Sequence, residues 1–489
     1  MDKLENLSAV ELGEKVNGQE IKPTEVIDYF ARRIEERNPS INAFVYTKFD
    51  EAMEEAKKLE YKIVKQKEYG GLFAGVPFAL KDFLPTKKGW TASHGGVKSL
   101  ITVDEESGEF CKAMESLGGI AVGKTNAPSF GFRGTTYNKM YGNTHNPFNL
   151  KYNSGGSSGG SCAAVGSRMV PLAECGDAGG STRCPSAWCN TFGFKPSAGL
   201  VPSVCRPDAW TATHPYCCGG PAARTVLDAA IVMEQMMRYD PSDPLSVPIP
   251  HKQFSELMKR DIQKMRIAVT HDYNIFPGVD SEIKDRIDHV ATVLANAGAC
   301  VDYVKFNFKH NLDDMVDAWL RGISIDTAIE AHLWKHKSNY DLIGEHSDEL
   351  PPDFIKWTLE AFKSNMLDYR QFHEVRTDIL DANLAVLNKY DIIISPVTSC
   401  MPVLNQEEDT KGPSEIAGSG CEQLIGFCQT WLQNMTGNPA ASVPGGLGEN
   451  NLPIGIQVIG KRYFDEDVFT VAYAIEQLLP WASYYERAK

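Results

Sequence analysis

Residues 154–183 read SGGSSGGSCAAVGSRMVPLAECGDAGGSTR, and how this stretch is understood decides the fold. Glycine and serine dominate both ends, as they do in a flexible tether. A tether stays polar throughout, whereas here CAAV and MVPLA interrupt the small residues. The pattern therefore predicts tight turns packed around a buried segment. Upstream, the β-rich runs GVPFALKDF (75–83) and GGIAVGKTN (118–126) flank the helical EFCKAMESLG (109–118), an alternation that predicts an α/β architecture. Downstream, IAVTHDY (267–273), CVDYVKF (300–306), DIIISPVT (391–398) and LPIGIQVIG (452–460) read as further strands. SEIKDRIDHVATVLANAG (281–298), most of 311–390 and EDVFTVAYAIEQLLP (466–480) read as helices. The N-terminal region, about 5–66, reads as a series of amphipathic helices.

The 489 residues carry a formal net charge of −14 and contain no dense Lys/Arg block, so no surface is marked for a nucleic-acid partner. No run of 18 apolar residues marks a transmembrane segment. MDKLENLSAVELGEKV lacks the basic start and apolar run of an export signal. A cytoplasmic setting follows as the expectation, with the twelve cysteines remaining thiols. No CxxC occurs, and HLWKH (332–336) lacks the glutamate of a zinc-protease helix, so neither a metal nor another cofactor is expected.

Three features carry possible chemistry. Lys81 ends an apolar run, and a lysine held in the interior tends toward its neutral, basic form. Taken alone it could equally be a strand-end lysine reaching water. GGSSGGS (155–161) surrounds Ser157 and Ser158 with residues that permit unusual backbone angles, although a flexible loop would read the same way. In GDAGGSTR (176–183), small residues before Ser181 leave backbone N–H groups able to converge on an anion.

Together these stretches resemble the amidase signature family. GGSSGGS, GDAGGSTR and GFKPSAGLVP (193–202) match its signature, with Ser157 preceding Ser181 by 24 positions, as the family's first serine precedes its nucleophile. GVPFALKDF matches its lysine motif. GKTNAPSF (123–130), NPFNL (146–150), GPAARTVLD (220–228), SPVT (395–398) and GNPAASVP (437–444) extend the likeness over about residues 20–480. Where the family usually has threonine between the aspartate and the two glycines, this chain has Ala178.

The resemblance implies one large domain over 1–489, a mixed central β-sheet sandwiched between helices. Its signature core would cover about 71–230, and a variable helical region at about 310–430 would line the substrate pocket together with 202–219. It implies a hydrolase cutting the carboxamide bond of a small-molecule amide through an acyl-enzyme. Ser181 would be the nucleophile, Ser157 a relay on a cis peptide bond and Lys81 the base. The backbone amides of Ala178, Gly179, Gly180 and Ser181 would form the oxyanion hole, supported by Ser158, Asp177 and Arg183. Cys184 is read as a buried thiol, and Trp319, Trp334 and Trp357 individually as core residues. The Trp481 region gives a faint pointer to hydrolases of linear and cyclic aminohexanoate amides. Two other readings stand beside this one: the glutaminase component of a glutamyl-tRNA amidotransferase, known as its A subunit, and a catalytically silent binding protein. A homodimer is also compatible with the sequence.

Overall fold

The alternation in residues 172–177 builds the strand Leu172–Asp177, which turns Leu172 into one apolar layer and Ala173 and Cys175 into another. The computed structural model describes residues 3–83, 86–211, 213 and 215–489. Among the described residues this strand lies inside an 11-stranded mixed sheet. To one side follow Pro77–Lys81, Ile120–Thr125 and the edge strand Phe44–Thr47. To the other follow Cys218–Ala223, Phe192–Lys195, Ala440–Leu447, Pro453–Gly460, Ile392–Pro396, Arg266–Val269 and Cys300–Tyr303. Helices cover both faces, as expected. One core gathers Ala9–Asn17, Val226–Met236, Asp465–Leu478 and Glu109–Ser116 on the Leu172 face. The opposite face is covered by Pro23–Ile41 and Gly159–Gly166, and farther along by Arg183–Trp188, Leu432–Thr436 and a helical layer. That layer comprises Leu312–Ser338, Pro352–Lys363 and Met366–Leu387.

Pro77–Lys81 runs parallel to Leu172–Asp177, pairing Phe78 with Leu172 and Ala79 with Ala173. Lys81 and Asp177 therefore leave the sheet at the same edge, which is where open α/β sheets place their sites.

Two elements differ from the sequence reading. Phe44–Thr47 is an edge strand, antiparallel to Ile120–Thr125, within the N-terminal region of about 5–66 for which the sequence announced only helices. Four residues between two helices carry too little periodicity to announce a strand. Within the glycine- and serine-rich stretch, Gly159–Gly166 forms a helix, every residue of which is buried. Its glycines serve close approach: a Cβ at Gly160 would stand 2.4 Å from the Asn126 amide nitrogen, and one at Gly159 2.3 Å from Thr136 Oγ1. All twelve cysteines are free thiols. Among the described residues no helix is long and apolar enough to cross a membrane.

The chain's last turn closes onto this frame through Trp481, a buried indole whose Nε1 donates to the Arg224 carbonyl at 2.9 Å. Trp481→Ala is expected to lower unfolding stability by about 3–5 kcal/mol, the usual cost of deleting a buried aromatic, measured by chemical denaturation.

Candidate active site

Lys81 ends its strand buried, and its Nζ donates to Ser157 Oγ at 2.7 Å. No carboxylate reaches that nitrogen among the described residues. Burial pushes the Lys81 pKa below the usual lysine value, opposed by more distant acidic groups including Cys175, Cys217, Glu174 and Asp177. The Gly156–Ser157 peptide bond is cis. Ser158 caps the helix Gly159–Gly166, and its amide donates to the Ser181 carbonyl at 3.0 Å, tying the two serine-bearing loops together. Ser158 Oγ also meets the Gly176 amide at 3.3 Å, so this hydroxyl fastens its loop to the end of the central strand.

The loop after that strand is wound around a single carboxylate. Asp177 Oδ1 accepts from the Gly180 amide at 2.8 Å, and Oδ2 from the Thr182 amide at 3.2 Å. Arg183 closes a two-pronged pair, Nε to Oδ2 at 2.9 Å and Nη2 to Oδ1 at 2.8 Å. Burial alone would raise the Asp177 pKa, but Arg183 and the surrounding donors hold it at about 2. Both residues are fully buried, and further partners satisfy the guanidinium: the Thr430 carbonyl, Gln457 Oε1 and Asn434 Oδ1. Asp177 and Arg183 thus brace the loop.

The four amides expected to form an oxyanion hole divide into two groups. Those of Ala178, Gly179 and Ser181 donate to no protein acceptor among the described residues, whereas that of Gly180 is held by Asp177. The nest is thereby narrowed to three free donors, because the carboxylate that shapes the turn engages the fourth. Gly180 sits at φ +123°, and a Cβ there would fall 1.9 Å from Thr430 Oγ1, so only glycine fits. Thr430 Oγ1 donates to the Gly179 carbonyl at 2.6 Å and fixes the adjoining peptide.

Aromatic and apolar side chains enclose this edge. The Trp319 indole lies on Gly179, where a Cβ would meet its Cζ2 at 2.5 Å, and its Nε1 donates to the Ala178 carbonyl at 3.2 Å. Ile425 lies against the same glycine. Gly131 borders Ser157 Oγ and the Phe83 ring, and the next layer is Phe130 stacked on Phe354 at 4.9 Å with Phe132 edge-on to Phe354. Trp334 approaches Phe130 at 6.0 Å. All three helical tryptophans read as core pack in one apolar cluster, Trp319 buried within it and Trp334 and Trp357 partly buried against it. The sequence reading did not single out Phe83, Gly131, Ile425, Thr430, Asn434 or Gln457. The only local signal was that Thr430 and Asn434 closely precede GNPAASVP. Cys184 is buried, with Sγ 3.3 Å from Thr430 Oγ1. Within 202–219, Ala212 and His214 lie outside the described residues.

A lysine-coupled serine, a second serine in a loop with free backbone amides and neighbouring aromatic side chains together form the candidate site. Comparison with known proteins gives the chain its family. The amidase family model matches residues 25–469. An acylamidase of Rhodococcus erythropolis is 30% identical, over 97% of this chain and 96% of its own. The A subunit of the glutamyl-tRNA(Gln) amidotransferase of Halothermothrix orenii is also 30% identical, over 97% of this chain and 98% of its own. The crystal structure of a bacterial aryl acylamidase of the amidase signature enzymes superposes with a TM-score of 0.94 at 38% identity, covering 98% of each chain. The chain belongs to the amidase family and is a hydrolase acting on carbon–nitrogen bonds.

Arg183→Met would leave Asp177 buried without its counter-charge. The expected outcome is a stability loss of about 3–5 kcal/mol, read by denaturant titration, whereas an unchanged midpoint would show that the pair does not brace the loop.

Proposed function

We propose that this amidase hydrolyses N-acyl arylamines, using Ser181 as nucleophile, Ser157 as proton relay and Lys81 as base. The observation that carries the substrate class is the aromatic enclosure, with Trp319 lying on the amide nest and Phe83 beside Ser157. Flat apolar walls favour an aryl group over the polar side chain of glutamine. The likeness to an aryl acylamidase at 38% identity supports the same reading.

In this mechanism neutral Lys81 takes a proton from Ser157 as Ser157 takes one from Ser181, and Ser181 Oγ attacks the acyl carbon. The free amides of Ala178, Gly179 and Ser181 hold the resulting oxyanion, each such donor being worth about 3–4 kcal/mol in other hydrolases. On collapse, the proton returns through Ser157 to the amine nitrogen, the C–N bond breaks and the arylamine leaves. Water then attacks the acyl carbon while giving a proton to the same relay, and the relay returns it to Ser181 Oγ as the ester C–O bond breaks and the carboxylic acid product leaves. The lysine can serve because it is buried and faces a hydroxyl; an adjacent carboxylate would hold its proton in place.

Ser181→Ala is expected to abolish both release of 4-nitroaniline from 4-nitroacetanilide and labelling by a fluorophosphonate, with circular dichroism unchanged. Persistence of either activity would remove Ser181 from the role. A panel of aryl, alkyl and cyclic amides plus glutamine tests the substrate class: aryl amides should be turned over fastest. A glutaminase rate above the anilide rate would favour the amidotransferase reading instead. The pH profile tests the base. Burial lowers the Lys81 pKa, so kcat/KM should rise with pH and reach its plateau well below the ordinary lysine value of 10.5. An acid limb near 10.5 would mean that burial does not lower the pKa of the base.

A further inference from the structure

On the face of the sheet opposite the Lys81 side chain, the central strand presents Leu172, Glu174 and Gly176 in turn. Gly176 pairs directly with Gly219 of the neighbouring strand Cys218–Ala223. These two glycines do not serve close approach. A Cβ on Gly176 would meet nothing within 4 Å, and one on Gly219 would meet only Met236 Cε at 3.7 Å. Neither has a left-handed backbone, so no conformational demand explains them either. Gly219 is exposed, and Gly176 and Glu174 are partly exposed, so the space above the pair opens to solvent. Two residues back along the strand from Gly176 stands the Glu174 carboxyl. Its Oε2 accepts from the Lys81 amide at 3.2 Å, while Oε1 reaches no protein donor among the described residues.

The groove adjoins the backbone that carries the site residues. Its floor touches the site through Ser158, whose Oγ bonds the Gly176 amide, and its acid holds the backbone of Lys81. We propose that this groove is a second arm of the substrate site and that Glu174 selects substrates bearing an ammonium group. The inference rests on the reading of Ser181 as a nucleophile acting on aryl amides.

Charge balance gives the preference its sign. Around Glu174 stand Lys81, which works as a neutral base, the Lys124–Asp104 ion pair at 2.7 Å and the Cys111 thiol of the helix Glu109–Ser116. The helix Val226–Met236 contributes the uncharged Met236. Lys124 and Asp104 cancel, and burial keeps the Cys111 thiol protonated by pushing its pKa well above the usual value. The local charge is therefore −1 when Glu174 is ionised and zero when it is protonated. Burial lifts the Glu174 pKa to about 7, opposed by its bond to the Lys81 amide and by Lys124. A free carboxyl oxygen in a groove with one net negative charge offers a charge-assisted hydrogen bond to an ammonium. A neutral substituent of the same shape gains nothing comparable.

The test compares two matched substrate pairs. One is 6-aminohexanoyl- against hexanoyl-4-nitroanilide, which places the ammonium on the acyl side. The other is N-acetyl-4-(aminomethyl)aniline against N-acetyl-4-methylaniline, which places it on the amine side. At pH 8 the ammonium member of one pair should be preferred by about tenfold in kcat/KM, the scale of one charge-assisted hydrogen bond. At pH 6 the preference should fall toward parity as Glu174 takes up its proton. Glu174→Gln keeps an acceptor for the Lys81 amide but should erase the preference at both pH values. Gly176→Val, which fills open space, should erase it as well. Because each ratio is taken within one enzyme, a general loss of activity cancels. Parity in both pairs at pH 8, or a preference that survives Glu174→Gln, overturns the inference while hydrolysis of the neutral anilides upholds the functional reading. Failure to hydrolyse any of the four overturns both.

Discussion

The loop that carries Ser181 depends on one carboxylate. Asp177 is buried where an isolated charge would be prohibitively costly, and five donors from the loop, Arg183 and Asn434 make it tolerable. Those same bonds decide which way the turn faces. With the Gly180 and Thr182 amides drawn inward to Asp177, the amides of Ala178, Gly179 and Ser181 are left without a protein acceptor among the described residues. A structural charge pair thus determines the polarity of the site without touching a substrate. The cost of burying it is met by Gln457, Asn434 and the Thr430 carbonyl, contributed by segments about 250 residues away in the chain, which is why the loop cannot be understood apart from the distal half of the sheet.

Lysines buried in this sheet show how context divides one residue type into different uses. Lys124 is enclosed with Asp104 and forms an ion pair. Lys195 donates to the Pro196 carbonyl, and burial lowers its pKa, yet among the described residues no serine hydroxyl bonds its Nζ. Lys81 combines burial with a hydroxyl at 2.7 Å and with a position at the strand end beside the nucleophile loop. Burial makes a lysine basic; placement makes that basicity usable.

The sheet edge and the paired serines were legible in the sequence because both are local. An apolar run ending at Lys81, a glycine-rich turn and a spacing of 24 positions are all written within single short stretches. The helix Gly159–Gly166 was hidden because its glycines are poor helix formers, and what stabilises it is the tight contact with Asn126 and Thr136. That the Gly180 amide belongs to Asp177 was equally invisible, since Gly-Gly-Ser carries no sign of which N–H turns inward. The aromatic enclosure was the least readable part. Phe83, Phe130, Trp319, Phe354 and Ile425 come from widely separated segments, and each alone looks like an ordinary core residue.

Trp319 joins two parts of the molecule that answer to different demands. It belongs to the long helix Leu312–Ser338, yet its indole rests on Gly179 and bonds the Ala178 carbonyl. The sheet edge must hold its geometry whatever amide is presented, while the helical layer is free to vary in shape. The layer meets the site through side chains, with Trp319 on the nucleophile loop and Phe354 and Trp334 on Phe130, so its other side chains can change while the backbone of the sheet edge is kept. An architecture divided in this way can acquire new substrates by changing its walls, with the chemistry inherited intact.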